Sequence, residues 1–287
     1  MNPATSVDVG KRIRLRRLIE PETNSCMICA LDHGLTSPLF LKGLFDMRER
    51  VREVLAGGAN VLMLSRGMTK QVVTELSPVT SVALMLSASA ACRPDGAIVT
   101  PIGSVEEALR LGADAVVVYV ALAGNNEDEM INYVSNIGEA CDQLGMPFIA
   151  EAEYPNAYQT LSEQSSGFGP DYLTRNARLC AELGADIVKV NWSGSVETFN
   201  TIVRAAGVPV VVAGGTVQDE EEFLTRMVAA AEAGAVGVSV GRNVFQHRNP
   251  EAMMRAIRRV MVEKVSCNEA LKELREAPTS PTSASEI

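Results

Sequence analysis

A short phrase recurs four times along the chain: Gly-Ala, followed by a run rich in β-branched residues. The copies begin at Gly58, Gly112, Gly184 and Gly234. Each copy follows an amphipathic stretch, so the glycine is placed to end a helix and the apolar run to form the next strand. Helices that alternate with strands in this way favour right-handed βαβ units and a parallel sheet.

Further short apolar runs lie between these joints and bring the number of predicted strands to eight. The strands are predicted near residues 27, 61, 82, 115, 147, 187, 208 and 236. The helices between them are predicted at 44–56, 104–111, 127–144, 171–183, 195–206 and 219–233. Eight such units favour a single closed (β/α)8 TIM barrel, with an open doubly wound α/β sheet as the alternative. The length of 287 residues suits one such barrel, which takes roughly 250 residues without extensions.

Two segments flank the predicted barrel. Residues 7–20 are predicted to form a short helix that covers the bottom of the barrel. Residues 276–287 are rich in Ser, Thr and Pro, and we predict that they form a disordered tail. No change of composition marks a boundary inside the segment 21–275. The expectation is therefore one domain over residues 1–275, followed by the tail.

Charge and hydropathy exclude several classes of partner. The formal net charge of −9 argues against a nucleic-acid partner, because such proteins present a basic face to phosphates. No run approaches the roughly 20 apolar residues of a membrane helix. The basic N-terminal segment lacks the apolar stretch of a secretory signal. We therefore expect a cytoplasmic protein with neither a nucleic-acid nor a membrane partner.

Metal and disulfide chemistry are also disfavoured. Cys26 and Cys29 spell CxxC, but they lie in a predicted strand, where an odd spacing of three places the two sulfurs on opposite faces. The chain has only two histidines, His33 and His247, too few for the usual histidine-based metal sites. We therefore expect neither a metal ion nor another cofactor.

Catalytic groups of such barrels come from the C-terminal ends of the strands. Lys189 is distinctive there, because it is the only one of six lysines that lies inside a predicted strand. Burial of an ammonium is costly or lowers its pKa. An amine with a lowered pKa can form a Schiff base with a carbonyl. The alternative is a structural lysine that neutralises a barrel carboxylate such as Asp32.

Two further strand ends offer groups for proton transfer. Asp32 ends the first strand and shares a face with Ile28 and Ala30 by alternation, so an inward face would bring its carboxylate into the barrel mouth. A turn-capping role is the alternative for Asp32. Tyr154 follows the fifth strand and could exchange a proton with the substrate, whereas a packing or turn role beside Pro155 is its alternative.

Glycines follow the last two strands, where these barrels often bind phosphate. Gly214, Gly215 and Gly241 would let backbone N–H groups approach an anion, and Arg242 would add a fork of donors. The alternative is that the glycines only make tight turns. The other strand-end residues expected at the substrate site are His33, Arg66, Asn191 and Trp192, although Trp192 could equally be a core residue.

Several motifs, taken together and in order, resemble the archaeal-type class I aldolase family. They are Leu31-Asp32-His33-Gly34, Asp186-Ile187-Val188-Lys189, Ala213-Gly214-Gly215 and Gly241-Arg242-Asn243-Val244-Phe245-Gln246. The resemblance runs from about Gly10 to Leu274. It implies that Lys189 is the Schiff-base lysine, Asp32 the catalytic aspartate and Tyr154 the proton-transferring tyrosine, with the glycine loops as the phosphate site.

The sequence departs from the family pattern at two places in the pocket. The family motif Tyr-Pro-Arg-Gly reads Tyr154-Pro155-Asn156-Ala157, and one extra residue after Pro147 could place Glu153 where the tyrosine belongs. Ser65-Arg66-Gly67 replaces a His-Lys-Gly motif. These changes leave the lysine chemistry intact and leave the subfamily and the substrate open.

The resemblance implies a metal-independent aldolase that cleaves or forms a C–C bond in a small phosphorylated, ketose-like carbonyl substrate. The resemblance places this function closest to fructose-bisphosphate aldolase and aminodideoxyheptulosonate synthase, although some motifs look more like the thiolase of phosphorylated autoinducer-2. One alternative is thiolase-type acyl transfer from a phosphorylated diketone to coenzyme A. Another is a sugar-phosphate-binding barrel without turnover. The resemblance also implies a homo-oligomer, a ring or double ring.

Overall fold

Strands and helices alternate along the chain, as predicted. The computed structural model describes residues 6–37, 39–89, 99–122, 127–155 and 168–280, with side chains from residue 9. The strands in these residues are β1 (Cys26–Ala30), β2 (Val61–Leu64), β3 (Ser81–Met85), β4 (Ser87–Ser89), β5 (Val99–Pro101), β6 (Ala115–Val120), β7 (Phe148–Ala152), β8 (Ile187–Val190), β9 (Val210–Ala213) and β10 (Gly237–Val240).

The α-helices of the same residues surround these strands. They are α1 (Ser6–Leu18), α2 (Met47–Ala56), α3 (Arg66–Gln71), α4 (Val105–Arg110), α5 (Glu127–Leu144), α6 (Pro170–Glu182), α7 (Val196–Ala206), α8 (Glu220–Glu232), α9 (Arg242–Phe245), α10 (Pro250–Met261) and α11 (Cys267–Glu276). Within the described ranges, no helix combines the length and the apolar character needed to cross a membrane.

Eight of the strands close into a parallel barrel in the order β1-β2-β3-β6-β7-β8-β9-β10. Closure is visible at β1, which pairs in parallel with β10 through Cys26 and Gly237 and with β2 through Ile28 and Val61. An open sheet would leave β1 or β10 with a free edge. The predicted (β/α)8 barrel is therefore confirmed, and all eight of its strands lie where the sequence predicted them.

Some elements were not predicted. Strands β4 and β5 form a small antiparallel sheet after β3, with Ser87 opposite Pro101. The helices α3, α9, α10 and α11 were also missed. The sheet consists of two three-residue strands, which is too short for an alternation pattern to be recognised. The small sheet and the four additional helices lie outside the eight-stranded barrel and do not change its strand order.

Alternation along the strands separates two apolar layers. Side chains such as Ile28, Met63 and Ile187 fill the barrel interior. Their strand neighbours pack outward against the helices, as Met27 does. Cys26 belongs to the interior and Cys29 to the outer layer. The two sulfurs therefore lie on opposite faces, as the sequence predicted.

The N-terminal helix α1 covers the bottom of the barrel. Lys11 lies 2.6 Å from Asp142 and 2.9 Å from Asp186, which precedes β8. Arg17 lies 2.9 Å from Asp114, which precedes β6. Leu18 is fully buried against the interior layer. These contacts close the end of the barrel opposite the strand ends that carry the site.

Ordered structure continues beyond the predicted start of the tail. Helix α11 ends at Glu276, and the Ser280 N–H donates to the Arg248 carbonyl over 2.9 Å. The Ser280 hydroxyl donates to the carboxylate of Glu53. The prediction that disorder begins at residue 276 is therefore wrong for residues 276–280, which these hydrogen bonds hold on the barrel. The rest of the predicted tail lies outside the described residues.

Candidate active site

Lys189 lies at the mouth of the barrel, on an inward-facing position of β8. Its strand neighbour at the preceding inward position, Ile187, belongs to the barrel interior. The parallel register pairs Lys189 with Glu151 of β7. The residue is only 9% exposed, so its ammonium must find its partners within the mouth rather than in solvent.

Two glutamates provide those partners. The Lys189 Nζ lies 2.5 Å from Glu151 Oε1 and 2.8 Å from Glu153 Oε1. The two glutamates are spaced two residues apart, so the alternation of β7 and its extension turns both side chains toward the same side. Both are buried, at 5% and 6% exposure. A buried ammonium is thus held between two buried carboxyl groups.

This pairing changes the expected protonation of the lysine. Burial alone lowers the pKa of Lys189, but the charges of Glu151 and Glu153 and the hydrogen bonds to them outweigh it and raise that pKa above its ordinary value. Of the two consequences of burial that the sequence left open, a lowered pKa would follow from desolvation alone, without these partners. A salt bridge does exist, as the structural alternative required, but to two glutamates rather than to Asp32.

Two carboxyl groups near Lys189 also have raised pKa values. Burial raises the pKa of Glu151 to about 7, against the opposing charge of Lys189. Burial likewise raises the pKa of Asp32 to about 6, again opposed by Lys189. Asp32 is buried at the end of β1. Three carboxyl groups therefore share the mouth with one ammonium, and two of them can exchange protons near neutral pH.

The Tyr154 side chain points away from the barrel interior, toward the surrounding helices. Its ring belongs to the outer apolar layer and stacks on Tyr172 of α6 at 6.0 Å. Its N–H donates to Asn191 Oδ1 over 2.8 Å. Glu153, one residue earlier, has the inward position next to Lys189. The structure therefore places Glu153, and not Tyr154, next to Lys189, while Asn156 and Ala157 of the motif lie outside the described residues.

Three other expected site residues contact the surrounding protein: Asn191, Trp192 and Arg66. Asn191 binds the backbone at Tyr154, as described above. Trp192 stacks on Phe199 of α7 at 5.3 Å, in the outer layer. Arg66 begins α3 and lies 3.0 Å from Glu107 of α4. The contacts of Trp192 and Arg66 are thus with helices, which favours the core role for Trp192.

The glycines after β9 and β10 differ in their hydrogen bonds, their backbone conformation and their packing. The Gly214 N–H donates to the Ser239 carbonyl over 3.1 Å, so it is not available to a phosphate, contrary to the prediction. Gly215 has a φ of +71°, which strongly favours glycine. A Cβ at Gly241 would lie 2.3 Å from His33 Cε1 and 2.7 Å from the Ala30 carbonyl oxygen. Gly241 is therefore required by close packing.

Two arginines adjoin these loops, and only one was predicted. Arg242 follows Gly241 directly and begins α9. Arg226 of α8 reaches back to donate to the Gly214 carbonyl, and its guanidinium lies 3.5 Å from the position of a Cβ at Gly215. Burial lowers the pKa of Arg226 to about 10, so it remains charged at neutral pH. The glycine loops therefore lie in a cationic setting suited to an anion.

His33 lies against the second glycine loop, with its Cε1 2.3 Å from the position of a Cβ at Gly241. Its ring packs edge-on against Phe245 of α9, with the ring centroids 5.0 Å apart. Burial, together with the charges of Arg242 and Lys189, lowers the pKa of His33 to about 3. The imidazole is therefore neutral over the whole physiological range.

A lysine thus lies in the mouth of a (β/α)8 barrel beside buried carboxyl groups, and glycine loops follow the next two strands of the barrel. Residues 26–247 match the family described as DeoC/LacD family aldolase. The match covers most of the chain, so the chain belongs to this aldolase family. The resemblance to class I aldolases drawn from the sequence motifs is confirmed.

Relatives and solved structures agree with this assignment. The chain is 33% identical over 264 residues to a 2-amino-3,7-dideoxy-D-threo-hept-6-ulosonate synthase of Halobacterium salinarum, covering 92% of this chain and 96% of the relative. A synthase of the same name from Archaeoglobus fulgidus is 32% identical, with 92% and 95% covered. An archaeal fructose 1,6-bisphosphate aldolase structure superposes with a TM-score of 0.76 at 26% identity, covering 88% of this chain and 99% of that one. The chain is thus an enzyme of the aldolase class.

Proposed function

We propose that the chain is a Schiff-base aldolase that breaks or forms a C–C bond in a phosphorylated, ketose-like substrate. The observation that carries the proposal is the Lys189 ammonium, which lies between Glu151 and Glu153 at the barrel mouth. A structural relative with a TM-score of 0.76 and 25% identity is described as an archaeal aldolase whose catalytic lysine is covalently bound to the carbinolamine intermediate of its substrate. That description supports the same role for Lys189.

The first step is deprotonation of the lysine. Lys189 is an ammonium in this structure, and only the neutral amine attacks a carbonyl. Glu151 is the nearest acceptor, with its Oε1 2.5 Å from the Lys189 Nζ, and burial raises the pKa of this carboxyl, which favours its protonated form. The amine nitrogen then bonds to the carbonyl carbon to give a carbinolamine. Loss of water, with protonation of the departing hydroxyl by a neighbouring carboxylic acid, gives the iminium.

The iminium then serves as the electron sink for C–C cleavage. A carboxylate removes the proton of the hydroxyl on the carbon beyond the scissile bond, and an aldehyde leaves. The bonding electrons move to form an enamine. Protonation of the enamine carbon and hydrolysis release the second product and regenerate the amine. Asp32 and Glu153 are the groups that we propose for these transfers, with Glu153 in the role first expected of Tyr154.

The phosphate end of the substrate would lie against the two glycine loops. Gly215 lets an anion approach the backbone closely, and Arg242, which follows the closely packed Gly241, supplies the fork of donors. Arg226 holds the first loop through the Gly214 carbonyl. Anchoring the phosphate there would hold the carbonyl near Lys189, so that binding energy is used for orientation.

The remaining features of the proposal rest on composition and resemblance. The net charge of −9 supports a small-molecule substrate without a nucleic-acid partner. The family resemblance supports a metal-independent, cytoplasmic homo-oligomer. The substrate class follows the phosphorylated ketose named for the fructose-bisphosphate aldolase neighbours.

Covalent trapping tests the proposal directly. Incubation with dihydroxyacetone phosphate, followed by borohydride, should add the mass of the reduced ketone to the peptide that contains Lys189. Lys189→Arg should give no adduct and lose turnover by several orders of magnitude, because a guanidinium cannot form an iminium. Lys11→Arg is the matched control, since Lys11 also lies between two carboxylates, and it should trap normally. Turnover by Lys189→Arg without an adduct would refute the proposal.

A further inference from the structure

The residues that follow α11 cross the seam of the barrel, where the first strand β1 pairs with the last strand β10. Residues 277–280, which we call the C-terminal strap, bind two elements that are far apart in the sequence. One is the turn at 246–249 between α9 and α10, and the other is α2. Because α2 follows β1 and α9 follows β10, the strap joins the first and the last strand–helix units of the barrel.

On the side of the last unit, hydrogen bonds hold the strap to Arg248 and Asn249. The Arg248 guanidinium donates to the Ala277 carbonyl over 3.1 Å, and Asn249 Nδ2 donates to the Pro278 carbonyl over 2.6 Å. In the other direction, the Ser280 N–H donates to the Arg248 carbonyl over 2.9 Å. The turn that these bonds hold follows α9 directly, so the strap limits how far α9 can move.

On the side of the first unit, the strap reaches a buried ion pair. The Ser280 hydroxyl donates to the carboxylate of Glu53, and Arg50 Nη1 lies 2.5 Å from the other oxygen of that carboxylate, Oε2. Arg50 is only 1% exposed, and its Nε donates to the Gly43 carbonyl over 2.8 Å. This chain of bonds connects the strap to the loop between β1 and α2.

The same loop packs directly on α9. A Cβ at Gly43 would overlap the Phe245 carbonyl oxygen and would lie 3.1 Å from the Phe245 ring, so the two backbones are in contact. Phe245 ends α9, and Arg242 begins it. A helix of four residues is too short for its own hydrogen bonds to hold it. The position of α9 therefore depends on the loop at Gly43 and on the turn that the strap binds.

We propose that Ser280 and Arg248 are positioning residues, through which the C-terminal strap fixes α9 and thereby places Arg242 for binding of the substrate phosphate. This inference rests on the proposed function, in which Arg242 binds that phosphate. Both residues act from the outer, helical layer, across the seam. Loss of either contact lets α9 move relative to the barrel while Lys189 stays in place on β8. Phosphate binding then weakens, whereas Schiff-base formation persists.

Two ketones that differ by a phosphate group test the inference. Dihydroxyacetone phosphate and dihydroxyacetone can both form a Schiff base, and the concentration that gives half-maximal borohydride trapping on Lys189 measures the apparent affinity for each. Ser280→Ala and Arg248→Ala should each raise this concentration for the phosphorylated ketone by about 3- to 30-fold, the range that contacts remote from a site produce. The value for dihydroxyacetone and the fraction trapped at saturation should not change.

Thr279→Ala is the matched control, because Thr279 lies in the same strap with its side chain exposed. It should leave both affinities at their wild-type values. A strap that only stabilises the fold would lower the melting temperature of Ser280→Ala and Arg248→Ala without changing the ratio of the two affinities. An unchanged ratio in both variants would therefore overturn the inference, as would an equal change in Thr279→Ala.

Amide hydrogen exchange, measured by NMR, separates this inference from the proposed function. The amides of Phe45 and Phe245 bond to carbonyls of their own turns, one on each side of the seam. Ser280→Ala should make both exchange faster and leave the amides of β8 unchanged. Unchanged exchange at both positions would overturn the role of the strap even if the ketones bind. If exchange responds but the wild-type protein gives no adduct with either ketone, the Schiff-base proposal fails and the positioning of α9 by the strap stands.

Discussion

Replacing Lys189 by Met should make the stability of the protein strongly dependent on pH. The substitution preserves an unbranched chain but removes the positive charge between Glu151 and Glu153. Glu151 and Asp32 already have pKa values raised by burial, and in both cases the Lys189 charge opposes the rise. Without that charge, both pKa values should rise further. The folded variant will then resist ionisation of carboxyl groups that ionise freely in the unfolded chain.

The direction of the effect follows from the pKa of Glu151. In the wild-type protein burial already raises it from 4.5 to about 7 although Lys189 opposes the rise, so removal of Lys189 should raise it further. A carboxyl with a raised pKa in the folded state destabilises as pH rises from the unfolded value through the folded one. At pH 8 the variant should therefore lose about 3–5 kcal/mol, the usual cost of leaving a buried charge without its partner. At pH 5 the loss should be much smaller, because Glu151 is protonated in the folded state.

Urea unfolding at pH 5 and pH 8 measures this difference. Lys189→Met combined with Glu151→Gln should recover much of the loss at pH 8, because the second change removes one of the unpaired charges. Lys11→Met is the matched control at the opposite end of the barrel, where Lys11 is more exposed, and its loss should be smaller. An equal loss at both pH values, without recovery in the double variant, would mean that packing rather than charge decides the stability.

Three further predictions concern turnover. Arg242→Ala should weaken binding of phosphorylated substrates by about 1.5–3 kcal/mol, visible as a raised KM, and equal effects on dephosphorylated substrates would contradict a phosphate role. Glu153→Gln should lower kcat by about 10²- to 10⁴-fold, whereas Tyr154→Phe should change it only a few-fold; the reverse order would restore the tyrosine. Activity should survive EDTA, because an iminium replaces the metal ion as electron sink, and loss that zinc restores would refute this.

The barrel could be predicted because its signals are local. Each Gly-Ala joint ends a helix and starts a strand within a few residues, as at Gly184 before β8. Lys189 was also recognisable, because an ammonium inside an apolar strand is costly unless a buried partner or a chemical role offsets the burial. Alternation alone indicated that Asp32 shares a face with Ile28, and the interior position of Ile28 confirms that this face points inward.

The partners of Lys189 could not be predicted in the same way. Glu151 lies 38 residues before it, and only the register between β7 and β8 brings the two together. That register depends on the closure of the whole barrel and not on either strand. The direction of the lysine pKa depended on the same unknown contact. A signal was nevertheless present, because Glu151 and Glu153 repeat at a spacing of two on the face of Ile149.

Other differences between the sequence prediction and the structure depend on contacts that neighbouring residues in the sequence do not indicate. Tyr154 and Glu153 are neighbours in the chain. Because side chains alternate between the two faces of a strand, an error of one residue in the predicted alignment exchanges which of the two faces inward. Arg226 lies on a helix, and nothing in its neighbours indicates that it reaches the Gly214 carbonyl. The N–H of Gly214 was expected to bind an anion, but the ladder between β9 and β10 uses it.

The arrangement around Lys189 satisfies two requirements that conflict in a buried site. In the proposed mechanism, the lysine must be charged to stabilise a mouth that contains three carboxyl groups, and it must be neutral to attack a carbonyl. Transfer of its proton to Glu151 turns an ammonium–carboxylate pair into an amine–carboxylic acid pair, so the net charge of the mouth does not change. Iminium formation then returns a positive charge to the same nitrogen, where Glu153 can pair with it. The register that places Glu151 opposite Lys189 therefore lets the proton move within the mouth without a change of its net charge.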